Sequence, residues 1–89
     1  MKYLNWNREK NEILKIKRGL SFEEVALLIE SGHILGIEEH PNRPNQKIYI
    51  LEINNYAFIV PFIESEKEIF LKTVFASRKY TKLYDLKGE

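Results

Sequence analysis

Hydrophobic residues are densest between positions 46 and 75, where their pattern is typical of β-strands. Two runs, Lys47–Ile53 and Tyr56–Phe62, are rich in the β-branched and aromatic side chains that suit a pleated sheet. Asn54-Asn55 separates them, and asparagine tolerates the positive φ angles that a two-residue type I′ turn requires. Both runs are nearly continuous rather than alternating, which indicates that both faces of the hairpin are covered. We therefore predict an antiparallel hairpin, with a third strand over Glu68–Phe75 beside one of its arms.

The third strand leads directly into the basic segment Ala76-Ser77-Arg78-Lys79. Ser77 is a suitable N-cap for a last short helix that runs from Arg78 to about Leu86. The side chains expected to share one face of the third strand are Ile69, Leu71, Thr73 and Phe75. The side chains of the last helix expected to dock on the sheet are Leu83 and Leu86.

Before the hairpin, the residue pattern predicts two helices. Asn7 is a suitable N-cap for a helix over Arg8–Arg18, and the next residue is a glycine, which is common just after a helix. Ser21 and Glu24 match a capping box at the start of a second helix, which runs to about Ser31. The glycine turn between the helices is reminiscent of a helix-turn-helix, but so strong a β-segment is unusual in that class of DNA-binding protein.

Two shorter strands complete the predicted fold. Lys2–Trp6 alternates apolar and polar positions, as an edge strand does, and His33–Glu39 is a strand before an exposed loop with two prolines. The predicted order is β-α-α-β-β-β-β-α in an α+β fold, with a mainly antiparallel sheet, two N-terminal helices and a short C-terminal helix. A chain of 89 residues is expected to form one domain over residues 1–89.

Composition excludes several classes of protein. A hydrophobic content of 44% with 12% aromatic residues is ordinary for a folded globule and argues against disorder. Since the chain has no cysteine, it has no disulfide, no thiolate metal site and no cysteine nucleophile. No apolar run approaches the roughly 18 residues that a membrane helix needs, and no signal peptide is apparent. We expect a soluble cytoplasmic protein that binds no membrane.

Charge is distributed unevenly along the chain, although the net charge is only +1. Residues 1–19 and 72–87 are basic, and the nine carboxylates of residues 20–71 make the middle acidic. If both ends meet on one side of the sheet, they form a basic surface that suits nucleic acid or an acidic partner. The alternative is that lysine and arginine simply coat solvated helices.

Few motifs for chemistry are present. The chain lacks a Gly-x-Ser-x-Gly motif, a phosphate-binding glycine loop and a pair of histidines at metal-ligand spacing, so we expect no metal and no cofactor. Arg78 is a candidate phosphate ligand, because a guanidinium binds phosphate through a planar fork and stabilises a phosphorane-like transition state. His40 lies in a polar loop and is a candidate acid or base near neutral pH. Lys47 and Lys10 are candidate sources of further positive charge.

Taken together, several segments resemble the BrnT toxins, a family with a RelE-like fold. The matching segments are Asn5-Trp6-Asn7, Lys10, Lys17-Arg18-Gly19, Leu20-Ser21-Phe22-Glu23-Glu24-Val25 and Phe75-Ala76-Ser77-Arg78-Lys79-Tyr80-Thr81, the last being similar to the closing Ser-Ala-Arg-Lys-Ala-Thr of the family. The resemblance spans nearly the whole chain. It implies the toxin of a type II toxin–antitoxin system, an endoribonuclease held inactive by a ribbon-helix-helix antitoxin similar to BrnA. It also implies that operator DNA is bound only through the antitoxin complex.

The resemblance implies metal-independent RNA cleavage, in which the 2′-hydroxyl of the RNA is the nucleophile. The protein then has to help remove a proton, stabilise charge on the phosphate and protonate the leaving oxygen. The predicted catalytic residues are Arg78, Lys47, His40 and Lys10. The predicted RNA-binding residues are Lys17, Arg18, Lys79, Lys82 and Tyr84, of which Tyr84 is also a second acid or base candidate.

Two other functions remain open at this level. One is a catalytically inert module that keeps the fold and the antitoxin partner without cleaving RNA. The other is a DNA-binding regulator that uses the basic ends directly. A neighbouring gene for a ribbon-helix-helix protein favours the toxin or the inert module over the regulator, and RNA cleavage without added metal separates those two.

Overall fold

The computed structural model describes residues 2–86, which form one mixed β-sheet with helices on both faces. The elements are β1 (Tyr3–Trp6), α1 (Arg8–Arg18), α2 (Phe22–Glu30), β2 (Gly36–Glu39), β3 (Lys47–Ile53), β4 (Tyr56–Glu64), β5 (Glu68–Leu71), β6 (Phe75–Ala76) and α3 (Arg78–Leu83). The strands lie in the order β1-β5-β4-β3-β2, and β6 pairs with β4. The α+β class is confirmed. The strand predicted over Glu68–Phe75 is divided into two strands, β5 and β6. Within residues 2–86 no helix is both long enough and apolar enough to span a membrane.

The predicted central hairpin is confirmed. Strand β3 pairs antiparallel with β4 from Lys47 opposite Phe62 to Ile53 opposite Tyr56. The turn residues have φ angles of 54° at Asn54 and 65° at Asn55, so both adopt the left-handed conformation of a type I′ turn. The predicted edge strand is also confirmed, since β1 lies at the end of the sheet, where it pairs with β5 in parallel.

A β-bulge divides the predicted third strand. Leu71 is opposite Phe62, and Phe75 is opposite Ile59, so three residues of one strand face two residues of β4. Pro61 gives a physical reason for the bulge. Its carbonyl accepts a hydrogen bond from the Lys72 N–H at 2.7 Å, so its nitrogen faces the same edge, where proline has no hydrogen to donate.

The bulge corrects the prediction for the face of the third strand. An uninterrupted strand would place Thr73 and Phe75 on the same face as Leu71, and that prediction is wrong. Because of the extra residue, Val74 takes the next core position and is 3% exposed, whereas Phe75 is 37% exposed. The bulge therefore turns an aromatic side chain out of the main core.

Each face of the sheet has its own hydrophobic core. The face under α1 and α2 buries Leu14, Leu20, Phe22, Val25, Tyr49, Leu51, Val60, Phe62, Leu71 and Val74. The face under α3 buries Ile48, Ile50, Ala57, Ile59 and Tyr80. Strands β3 and β4 contribute to both cores, which explains why their sequences are nearly continuous apolar runs.

The two N-terminal helices are joined by a buried asparagine that sequence reasoning did not identify. Asn11 is 4% exposed. Its amide donates to Glu23 Oε1 at 2.8 Å, and its carbonyl accepts from the Phe22 N–H at 2.8 Å. The Asn11 bond satisfies a donor in the first turn of α2, where backbone N–H groups have no helical partner. The predicted capping box at Ser21 and Glu24 is confirmed.

We expect Asn11→Ala to lower the free energy of unfolding by about 1–3 kcal/mol, because the Phe22 N–H is left buried without an acceptor. The hydrogen bond from Asn11 also holds the pKa of Glu23 below its ordinary value of 4.5. The contribution of Glu23 is therefore present above pH 4.5 and is lost as the pH falls through the lowered pKa. Urea unfolding at pH 7 measures the effect.

Glu12→Ala is the matched control, because Glu12 is exposed on the same helix and only meets Lys15 in a surface ion pair at 3.3 Å. It should change stability by no more than about 0.5 kcal/mol. Equal losses in the two variants would show that Asn11 has no special role between the helices.

Helix α3 begins as predicted and ends earlier. The Ser77 hydroxyl accepts from the Tyr80 N–H at 3.2 Å, which confirms Ser77 as the N-cap. The helix ends at Leu83, which is 65% exposed, so the prediction that Leu83 docks on the sheet is wrong. Leu86 does pack against the core under α3. Lys87, part of the predicted basic end, lies outside the described residues.

Candidate functional site

A groove of about 280 Å³ lies between α1 and the bulged segment 73–75. We call it the cationic groove. Its lining residues are Lys10, Ile13, Leu14, Lys17, Arg18, Phe22, Thr73, Val74 and Phe75. Three of these side chains are cations and no carboxylate is among them, so the groove presents a positive rim over an apolar floor.

The helical repeat explains why these cations share one groove. Lys10, Leu14 and Lys17 are spaced by four and three residues, which places them on one face of α1. Leu14 is buried and holds that face against the sheet. Lys10 reaches across to the bulge, where its Nζ lies 3.4 Å from the Lys72 carbonyl. Residues from both ends of the chain therefore line this groove, but its three cations all come from α1, so the two basic ends do not combine there into one basic surface.

Lys17 and Arg18 are exposed and make no salt bridge with any residue between 2 and 86. They lie in the last turn of α1, where cations interact favourably with the negative end of the helix dipole. The helix dipole thus favours these two positive charges, and no carboxylate among the described residues pairs with them. Cations of this kind are available to bind an anion.

Arg78 is not among the residues that line the groove. It begins α3 three residues after Phe75, so the chain keeps the two Cα atoms within about 10 Å of each other. Arg78 is exposed and has no ion-pair partner among the described residues. Of the predicted site residues, Lys10, Lys17 and Arg18 share the groove, and Arg78 follows the groove residue Phe75 by three positions in the chain.

The other predicted RNA-binding residues lie on α3 or directly after it, against the opposite face of the sheet. Lys79 places its Nζ 5.4 Å from the centre of the Tyr80 ring, and Lys82 is exposed. Tyr84 is half-buried and stacks on Tyr80 with ring centres 6.5 Å apart. A Cβ at Gly36 would lie 2.5 Å from the Tyr84 hydroxyl, so Tyr84 packs closely over that glycine. These three residues are therefore not part of the cationic groove.

Lys47 is separated from the groove. It lines a different pocket of about 500 Å³, together with Lys2 and Glu64. The hydrogen bond and positive charge of Lys2, with a smaller effect of Lys47, hold the pKa of Glu64 below its ordinary value. Lys47 therefore faces a carboxylate, which reduces the positive potential that it can offer to a phosphate.

His40 is also distant from the groove, because it follows β2 at the far edge of the sheet from β1 and β5. Its backbone N–H donates to the Gln46 carbonyl at 3.0 Å, and its Nδ1 accepts from the Asn42 N–H at 3.1 Å. With Nδ1 an acceptor, the neutral ring carries its proton on Nε2. These bonds organise the loop between β2 and β3.

One titratable pair was not identified from the sequence. The Tyr80 hydroxyl donates to Glu38 Oε1 at 2.7 Å and connects α3 to the edge strand β2. This hydrogen bond and the burial of the ring raise the pKa of Tyr80 to about 12. A hydroxyl with that pKa stays protonated at neutral pH, so the pair serves to hold α3 rather than to transfer protons. The two residues are 42 positions apart, and no local sequence pattern predicts their contact.

Between residues 2 and 86, no group of three or more histidine, aspartate or glutamate side chains is placed to hold a metal ion. Comparisons with protein-family models, with curated proteins and with solved structures gave no match.

Proposed function

We propose that the chain is the toxin of a type II toxin–antitoxin system and acts in the cytoplasm as a metal-independent endoribonuclease with a RelE-like fold. The observation that carries the proposal is the cationic groove, from which the chain continues to Arg78, three residues after Phe75. The BrnT-like segments at the two ends of the sequence supply the cations, Lys10, Lys17 and Arg18 from one end and Arg78 from the other. An antitoxin of the ribbon-helix-helix class is the expected partner, and operator DNA is bound only through that complex.

In this proposal, the groove binds the phosphates that flank the scissile bond. Lys10 and Lys17 lie seven residues apart on α1, a separation of about 10 Å along the helix axis, which allows them to contact different phosphates. Arg18 adds a planar fork that suits a phosphate oxygen pair. Replacing one phosphate-binding cation with alanine should make the salt dependence of binding to single-stranded RNA shallower by a slope of about 0.7.

Arg78 stabilises the charge that develops on the scissile phosphate when the 2′-hydroxyl attacks it and the 5′-oxygen leaves. No predicted acid or base lines the groove, and His40 and Lys47 lie at other parts of the sheet. Electrostatic stabilisation therefore carries the rate enhancement, and water exchanges the protons. One such donor is typically worth about 10²–10³ in rate.

The same separation of residues favours a second candidate, a catalytically inert module that binds RNA and antitoxin. None of the predicted acid or base groups lines the cationic groove. If electrostatic stabilisation alone is insufficient, the protein holds RNA without cutting it. The two candidates share the groove and differ in a single observable, the cleavage of bound RNA.

The proposal is tested by inducible expression in a bacterial host that lacks the antitoxin. The parent should arrest growth, and the double variant Lys17→Ala/Arg18→Ala should relieve the arrest, because it removes two of the three cations of the groove. Lys15→Ala is the matched control: it removes a cation from the same helix that pairs with Glu12 outside the groove, so the arrest should persist.

Purified protein and a single-stranded RNA oligonucleotide supply the second readout, binding measured from 50 to 200 mM salt. A parent that neither arrests growth nor binds RNA would overturn both candidates. A harmless parent that binds RNA through Lys17 and Arg18 would favour the inert module. If the Lys15 variant and the double variant have equal effects, the cationic groove is not the site that binds RNA.

A further inference from the structure

A second, smaller pocket lies at the turn end of the central hairpin. It has a volume of about 270 Å³. We call it the aromatic pocket, and its lining residues are Ile53, Asn54, Tyr56, Phe58 and Ala76. None of these five described residues carries a charge. The aromatic pocket shares no lining residue with the cationic groove, so it is a separate feature of the surface.

The register of the sheet explains why these side chains meet. Ile53 lies opposite Tyr56 across the hairpin, and Phe58 lies opposite Ala76 of β6. Residues directly opposite each other share a face of the sheet, as do residues two apart in one strand. Ile53 and Phe58 pack against the core under α1 and α2. The aromatic pocket is therefore on the same face of the sheet as the cationic groove.

The rings of the aromatic pocket are accessible. Tyr56 and Phe58 are half-buried, with ring centres 6.2 Å apart and ring planes at 66° to each other. Asn54 and Ala76, at the rim, are exposed. The volume is below the range of about 300–1,000 Å³ that is usual for drug-sized ligands, so the pocket suits one planar ring system. Stacking on an aromatic side chain is a common way to bind an unpaired base.

The aromatic pocket adjoins the cationic groove along the chain. Phe75 lines the groove, and Ala76, the next residue, lines the pocket. Their Cα atoms are therefore only about 3.8 Å apart. The groove offers three cations, and the pocket offers an uncharged aromatic surface. A nucleotide carries the matching pair of groups, since its anionic phosphate is joined through a sugar to a neutral aromatic base.

We propose that the aromatic pocket binds one base of a single-stranded RNA whose phosphates lie in the cationic groove. This inference rests on the proposed function for the identity of the polymer. Tyr56 and Phe58 supply the stacking surface, which is open to any base because every base has a π-face. A charged peptide is a poorer fit, since its charged side chains would lose water without gaining a partner among the lining residues.

Asn54 gives the pocket a preference among bases. It is the first residue of the turn, with a φ angle of 54°, and its side chain lies at the rim. A side-chain amide has both a donor and an acceptor, the combination that recognises adenine through N6 and N7. Purines also offer a larger stacking surface than pyrimidines. We therefore expect adenine to bind more tightly than uracil.

The first experiment titrates the isotope-labelled full chain with three probes: adenosine, inorganic phosphate and a six-nucleotide adenylate RNA. The RNA carries 2′-O-methyl groups, which remove the nucleophile and keep the probe intact. Adenosine should shift the amide signals of residues 53–58 and 76, phosphate those of Lys17 and Arg18, and the RNA both sets. An abasic strand with the same backbone should shift only the Lys17 and Arg18 signals. Signals of residues 53–58 that change with protein concentration alone would show a contact between two copies and overturn the inference.

The stacking role is tested at Tyr56. Tyr56→Leu removes the ring but keeps an apolar side chain, and it should weaken binding of the adenylate RNA by roughly fivefold or more. Tyr56→Phe keeps the ring and should bind within about twofold of the parent. Tyr3→Leu is the matched control, because Tyr3 is 76% exposed on β1 at the edge of the sheet. Thermal unfolding checks that each variant is folded, and equal losses for Tyr3→Leu and Tyr56→Leu would overturn the inference.

Base preference is tested at the turn. Asn54→Gly removes the amide and keeps a residue that accepts the positive φ angle. It should reduce the preference for adenylate over uridylate RNA by roughly threefold or more. Asn55→Gly makes the same change at the neighbouring turn position, which does not line the pocket, and should leave the preference unchanged. If the two variants behave alike, Asn54 does not read the base.

Failure of this inference is distinguishable from failure of the proposed function. If the parent cleaves RNA but adenosine leaves residues 53–58 unshifted, the pocket is not a base site and the ribonuclease stands. If adenosine shifts those residues and Tyr56→Leu weakens RNA binding while the parent leaves RNA intact, the base pocket stands and the ribonuclease fails. If the abasic strand binds as tightly as the adenylate RNA, phosphates alone hold the RNA and the inference is overturned.

Discussion

Arg78→Ala is expected to abolish growth inhibition and to slow RNA cleavage by about 10²–10³, the usual cost of removing one donor that stabilises a transition-state charge. The fold should be unaffected. Arg78 is exposed and unpaired among the described residues, and losing such a side chain changes stability by no more than roughly 0.5 kcal/mol. Growth after induction, cleavage by purified protein and thermal unfolding of the same preparations measure the three quantities.

Arg43→Ala is the matched control for Arg78, since it removes an exposed arginine from the loop between β2 and β3, at the far edge of the sheet from β1 and β5. It should leave both toxicity and cleavage within about twofold of the parent. Arg78→Lys adds a finer comparison, because it keeps the charge and loses the planar fork. If Arg78→Ala is as toxic as the parent, Arg78 is surface charge and the site lies elsewhere.

Phe22→Ala is expected to give the largest loss of stability, about 3–5 kcal/mol. Phe22 is 1% exposed, begins α2 and stacks on Trp6 with ring centres 5.9 Å apart, so it joins the second helix to the edge strand β1. Truncation leaves a cavity at the base of the groove. The free energy of unfolding of a domain of this size is only about 4–13 kcal/mol, so the variant should be close to unfolding at 37 °C.

Phe75→Ala is the control for Phe22, because it makes the same chemical change at a side chain that is 37% exposed. It should cost roughly 1–2 kcal/mol. Urea unfolding of both variants and the parent tests the difference. Similar losses at the two positions would mean that the core lies elsewhere than under α1 and α2.

Local chemistry explains the parts of the fold that could be predicted from the sequence. The asparagine pair forces a tight turn, Ser21 and Ser77 cap helices, and each of these signals acts within a few residues. The bulge could not be found in this way. It depends on Pro61 in the neighbouring strand, and the pattern of residues 68–75 contains no sign of it.

The candidate site could be predicted only in part, because local sequence patterns do not specify contacts between distant residues. The shared face of Lys10 and Lys17 follows from helical spacing, but their position beside residues 73–75 is set by the packing of α1 against the bulged segment. The separation of Lys47 and His40 from them is set by the order of strands in the sheet, which hydrophobic pattern does not specify. The burial of Asn11 could not be predicted, because in the sequence it is one of many polar residues on a charged helix.

We propose that this protein cleaves RNA with its own cations and without a metal. The most direct measurement is incubation of the purified full chain with a single-stranded RNA in excess EDTA, beside DNA of the same sequence and Arg78→Ala protein. We expect RNA fragments with 2′,3′-cyclic phosphate and 5′-hydroxyl ends, no cleavage of the DNA, and at least 10²-fold slower cleavage by the variant. RNA that stays intact with parent protein, or cleavage that is equally fast with the Arg78 variant, would contradict the account.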